Sequence, residues 1–101
     1  KLAWCEAPIL RLSKGVTPDR KSYVQVRVNR YSGSYVEVYL KTNGKRYVKA
    51  PLKNEKISFY KGKIRFSYQR KTVLYCKIRT YRLKKGKKYY SNFSKEKRIR
   101  L

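Results

Sequence analysis

The chain has 101 residues, of which 29 are lysine or arginine and five are acids, with no histidine, so its net charge is +24. At 41% hydrophobic and 15% aromatic residues it carries enough apolar surface to offset chain entropy, and it is expected to fold as one domain over residues 1–101. No run approaches the ~20 apolar residues of a membrane span. Without histidine there is no Ser-His or Cys-His pair, and two cysteines with scattered carboxylates do not make a zinc site. Glu6, Asp19, Glu37, Glu55 and Glu96 show no spacing that brings two carboxylates together. A lysine nucleophile is the one catalytic option left, and the expectation is a non-enzyme with no cofactor and no metal. The chain opens on Lys1 without a visible signal peptide, which reads as a piece excised from a longer protein or a mature chain.

Short strands separated by turns are predicted from end to end. Pro8 breaks any early helix, and Leu10 and Leu12 alternate with Arg11 and Ser13 as a first strand. Lys14 to Asp19 is a turn-rich connection. From Tyr23 to Asn29 the valines 24, 26 and 28 face inward and Gln25 and Arg27 outward. Ser32-Gly33-Ser34 turns the chain, and Val36, Val38 and Leu40 form the buried side of the next strand. Asn43-Gly44 is the strongest hairpin signal, because a type I′ turn needs positive φ at both central positions. It leads into a strand from Arg46 to Ala50, stopped by Pro51. Ile57–Tyr60 and Ile64–Tyr68 read as two short strands around Lys61-Gly62. Val73 to Arg82 is the clearest strand: Leu74, Cys76, Ile78 and Thr80 point one way, and Tyr75, Lys77, Arg79 and Tyr81 the other. After Lys84-Lys85-Gly86 a last strand is expected from about Lys88 to Leu101.

Seven to eight antiparallel strands in about 100 residues predict an all-β sandwich, with a closed barrel second. Cys76-Lys77-Ile78-Arg79-Thr80-Tyr81, followed by Gly86-Lys87-Lys88-Tyr89-Tyr90-Ser91-Asn92-Phe93-Ser94, resembles the last two strands of fibronectin type III modules. It is most similar to the lysine-rich modules of Gram-positive bacterial surface and wall-associated proteins. Val36-Glu37-Val38-Tyr39 and Asn43-Gly44-Lys45-Arg46-Tyr47 resemble their third strand and hairpin, so the likeness spans roughly residues 20–101. The resemblance implies an immunoglobulin-like sandwich in which the third, fourth, sixth and seventh strands share a sheet.

On that sheet the outward face would carry Tyr35, Glu37, Tyr39, Tyr47, Lys49, Tyr75, Lys77, Arg79 and Tyr81. One reading is cross-strand pairing, since tyrosine suits strands and cation–aromatic neighbours stabilise a sheet. The other is a binding face, with cations attracting a polyanion or anionic glycan and tyrosine rings offering stacking surface. The candidate ligand-binding residues are Tyr35, Tyr39, Tyr47, Lys49, Tyr75, Lys77, Arg79 and Tyr81. Cys76 faces inward on its strand and Cys5 precedes the first strand. The pair reads either as a disulfide, worth ~4 kcal/mol for so long a loop, or as two separate thiols. Asn92-Phe93-Ser94 is a formal glycosylation sequon, expected to be unused.

Two functions of different class remain. One is a non-catalytic extracellular accessory or adhesion module of a cell-surface or secreted protein, contacting anionic wall polymers or glycans and flanked by neighbouring domains. The alternative is an intracellular, nucleic-acid-binding basic β-barrel, which predicts aromatics on two adjacent strands facing a groove. A small secreted cationic toxin also fits the charge.

Overall fold

A computed structural model describes residues 7–42, 44–68 and 72–101. The chain is all-β: strands β1 (Ile9–Val16), β2 (Ser22–Asn29), β3 (Tyr35–Thr42) and β4 (Val48–Lys49), one helical turn α1 (Ile57–Tyr60), then β5 (Lys63–Tyr68), β6 (Val73–Lys84), β7 (Lys87–Tyr90) and β8 (Lys97–Arg100). They pair antiparallel into two sheets, one ordered β1-β2-β5, the other β4-β3-β6-β7 with β8 also on β6. The alternating apolar residues explain both. Leu10, Val24, Val26, Val28 and Ile64 from the first sheet and Val36, Val38, Leu40, Leu74, Cys76 and Ile78 from the second share one buried core. Period-two patterning puts each strand's apolar set on one face, and burial of that face fixes the register.

Three expected elements differ. Ile57–Tyr60 is helical, not extended. Lys56 makes a single bridge to Tyr35, at the very start of β3, and Ile57 N donates to Ser34 O at 3.0 Å. Beyond that point β3 offers no further partner. The chain therefore sinks Ile57 into the core and closes one turn, ended by Lys61 and Gly62 at positive φ. The strand expected from Arg46 to Ala50 shrinks to Val48–Lys49. Asn43 of the expected Asn43-Gly44 turn lies outside the described residues, as do Trp4 and Cys5.

The third difference is the last strand, which is broken between β7 and β8. Ser91 and Ser94 bridge the gap by contacting β6 both ways. Their N–H groups donate to Thr80 O (2.8 Å) and Ile78 O (2.7 Å). Their Oγ atoms accept from Thr80 N (2.9 Å) and Ile78 N (3.0 Å). Two serine hydroxyls thus take the place of strand carbonyls, and the buried β6 amides are satisfied without a regular ladder.

Two turns deserve positional notice. Gly33 lies against β6: an added Cβ would sit 2.8 Å from Thr80 Cβ and from Tyr81 N, so only glycine lets this loop approach the sheet. The β6–β7 hairpin turns on Lys85 (φ 51°) and Gly86 (φ 78°), both left-handed as in a type I′ turn. Lysine is a poor occupant of that conformation and asparagine a good one. Lys85→Asn is therefore expected to stabilise the protein by about 0.5–1 kcal/mol, read as a raised Tm, whereas Lys85→Val should lower it.

Candidate polyanion-binding face

The outer face of the five-stranded sheet brings all eight predicted residues together. In the β3–β6 register Tyr35 lies opposite Tyr81, Glu37 opposite Arg79, Tyr39 opposite Lys77 and Lys41 opposite Tyr75. Lys49 joins from β4 opposite Tyr39. Tyr47 precedes β4, and its ring takes Lys41 Nζ at 5.0 Å and Lys77 Nζ at 4.6 Å.

The expectation that no carboxylates converge is corrected here. Glu37 is only 2% exposed and is the hub of the face. Its carboxylate accepts from Arg79 Nε (2.9 Å) and from the Tyr39 hydroxyl (3.0 Å), with Lys49 Nζ at 3.2 Å and Lys88 Nζ at 4.0 Å. Glu55 approaches the same Lys49 at 3.0 Å and accepts from the Tyr81 hydroxyl. At the other end Glu96 accepts from Tyr47 and lies 3.9 Å from Lys41. Burial alone would push the Glu37 carboxyl up, but the bonds from Arg79, Lys49 and Tyr39 outweigh it and hold it below its ordinary range. Burial, then the bond to Glu55, pushes the Tyr81 hydroxyl up, and Tyr47 is pushed up in the same way with Glu96 as partner. Both tyrosines therefore stay protonated donors at neutral pH.

The rings are committed as well. Tyr35 stacks on Tyr81 (5.0 Å, 14° between planes), Tyr90 leans on Tyr81 at 5.5 Å, and Arg79 lies 3.7 Å over the Tyr90 ring. Tyr81 is only 4% exposed. The half-buried Lys77 is held between Tyr47 and Phe93, with its Nζ 4.4 Å from the Phe93 centroid. The Tyr35–Glu37–Arg79–Tyr81–Tyr90 part of the face is thus closed on itself, while at the other end Lys41, Tyr47, Tyr75 and Lys77 are partly exposed beside an exposed Phe93. Sequence reading missed Phe93, Tyr90, Lys88, Glu55 and Glu96 as members. Alternation placed Glu37 correctly, but Glu55 and Glu96 lie in loops, where no period shows which way a side chain points.

Electrostatically the face is the most compensated part of the molecule. Four cations (Lys41, Lys49, Arg79 and Lys88) meet three of the chain's five acids here, and a fifth, Lys77, lies over the Tyr47 and Phe93 rings. The other 24 basic residues of the sequence are left with Asp19 and Glu6. Among the described residues there is no group of His, Cys, Asp and Glu that could hold a metal ion. Cys76 is fully buried as a free thiol, its pKa pushed up to about 12 by burial, while Cys5, its partner in the disulfide alternative, lies outside the described residues. No protein-family model, curated protein or solved structure matches this chain.

Proposed function

We propose that this chain is a non-catalytic sandwich module of the fibronectin type III kind, part of a cell-surface or secreted protein, that holds anionic polymer by charge. The observation that carries the binding role is the uneven division of charge. Three acids are gathered into one brace, so the rest of a small surface is left almost uniformly positive. Within a Debye length of about 8 Å such cations repel one another and weaken the compact state, a cost that a polyanion relieves. The sandwich reading is supported by the division of the strands: the third, fourth, sixth and seventh share a sheet, opposite β1-β2-β5 across one core. The Tyr90-Ser91-Asn92-Phe93-Ser94 segment supports it too, since its serines lock the last strand to β6. The barrel alternative has less support, because the described strands form two sheets with free edges and the tyrosines stack on one another rather than line a groove.

Anion binding has a direct test in thermal melts with added chloride, sulfate and phosphate at equal ionic strength. Sulfate and phosphate should raise Tm more than chloride, with a rise that saturates by about 10 mM, unlike the steady effect of sulfate exclusion from any protein surface. Equal shifts in the three salts would contradict the reading.

A further inference from the structure

The outward face of the three-stranded sheet carries a row of unopposed charge. The pairing of β1 with β2 and of β2 with β5 sets Arg11 beside Arg27 and Arg27 beside Lys63, a row of three cations on one face of consecutive strands. All three are exposed. Like charges directly opposite destabilise a sheet, so this row is a cost to the free protein. Among the described residues no ion pair, hydrogen bond or ring contact engages any of the three side chains. Asp19 pairs with Lys21 in the turn at the opposite end of β1, ~17 Å from Arg11 along the strand, and Glu6 lies outside the described residues. Arg30 (φ 47°) and Lys61 (φ 53°) stand at the ends of the same strands, so cations occupy left-handed positions where glycine would be relaxed.

The row does not end at Arg11. Beyond the edge of β1 an open groove of about 410 Å³ separates the two sheets, lined by Ile9, Leu10, Arg11, Leu12, Lys97 and Arg98. Lys63, Arg27 and Arg11 therefore form a cationic band that crosses three strands, ~10 Å at the usual strand spacing, and Lys97 continues it at the seam, while Arg98, opposite Tyr75, belongs to the outer side of the other sheet.

We propose that this band is the site where the module takes its polymer, and that the polymer is a flexible chain of phosphates lying across the strands. The proposal rests on the function argued above and gives it a location, on the sheet opposite the one the sequence singled out. Two guanidinium groups in the row favour oxyanions that accept two hydrogen bonds from one fork, as phosphate does. A succession of cations suits repeated charges rather than a single ion. Tyr23, the one ring on the outward side of these three strands, is already covered by Arg65 at 5.0 Å, so the strands that carry the row offer bases no open stacking surface of their own. Its passage from a sheet face into a groove suits a bendable chain rather than a flat lipid surface.

The test is binding of end-labelled inorganic polyphosphate to the full chain across a salt series. It compares wild type, the triple variant Arg11→Gln/Arg27→Gln/Lys63→Gln, and a control that removes equal charge elsewhere, Lys45→Gln/Lys53→Gln/Lys84→Gln. The row variant should bind about tenfold more weakly, and its log–log salt slope should shrink by about 2, since each phosphate contact contributes roughly 0.7. The control should stay near wild type. The row variant should also melt no lower than wild type, because it relieves like-charge contact, so that a loss of binding is not a loss of fold. Equal losses in the two variants would overturn the band while leaving charge-driven binding in place. No binding of polyphosphate by wild type at physiological salt would overturn both. Tighter binding of polyglutamate, of oligothymidylate or of anionic vesicles than of polyphosphate would overturn the phosphate-chain occupant.

Discussion

Glu37→Ala is expected to cost about 2–4 kcal/mol of unfolding free energy, the largest single loss among surface-facing positions of this protein. Removing one member of a buried ion pair usually costs ~3–5 kcal/mol, because the partner is left charged and unopposed. Here the partners keep part of their hydration, Arg79 with a quarter of its side chain exposed and Lys49 with 39%, which moves the figure down. A Glu37→Leu/Arg79→Leu double variant should recover part of the loss, since neither charge then remains, and the shortfall from additivity measures the coupling. The pH dependence has a definite sign. The folded-state pKa of Glu37 is depressed, so its contribution is fully present above the pKa of an unfolded carboxyl, about 4.3, and is lost as pH falls through the lower folded value. Urea unfolding from pH 7 downward should therefore show wild-type stability dropping in acid, with a shallower drop in Glu37→Gln. An unchanged midpoint for Glu37→Ala would remove the idea that this carboxylate braces the face.

Ser94→Ala is expected to cost about 1–3 kcal/mol, the penalty for a buried donor left without an acceptor. The affected donor is the Ile78 amide, at a residue with no solvent exposure in the middle of the longest strand. Water has no route to replace the lost oxygen. Ser94→Thr keeps the hydroxyl and should cost much less. Hydrogen exchange provides a local reading: in Ser94→Ala the Ile78 amide should exchange faster while the amides of β2 stay protected. Uniform acceleration across the protein would mean that the hydroxyl supports general packing rather than this one bond.

Strands with a buried face were legible because burial imposes a period that the sequence must carry. Val24, Val26 and Val28 in β2, Val36, Val38 and Leu40 in β3, and Leu74, Cys76 and Ile78 in β6 all alternate, and all point inward. Where side-chain chemistry replaced a backbone partner, the pattern misled. The segment 57–60 has a strand-like composition, but what decides its conformation is where β3 begins, a fact of pairing that local sequence does not hold. The break between β7 and β8 depends on two serine hydroxyls that stand in for carbonyls, and a serine in a sequence does not reveal which partner it will find.

The candidate face shows the same division. Its eight tyrosines and cations were placed by period and by the implied sheet. Their mutual commitment was not, because it depends on Glu55 and Glu96 reaching in from loops. The Arg11–Arg27–Lys63 row was present in the sequence as three unremarkable cations on separate strands. Only the register set them side by side. Charge totals motivate the proposed polyanion, and pairing geometry motivates its proposed place.

Under the proposal, polymer is held on the Arg11–Arg27–Lys63 face and not on the braced one. Amide chemical-shift mapping of the full chain titrated with inorganic polyphosphate tests this most directly. The expected result is perturbation concentrated at Arg11, Arg27 and Lys63 and at the Lys97 side of the groove, with Tyr35, Tyr81 and Tyr90 little moved. Perturbation centred on the face of Tyr39, Lys77 and Arg79, with the β1-β2-β5 sheet silent, would contradict it.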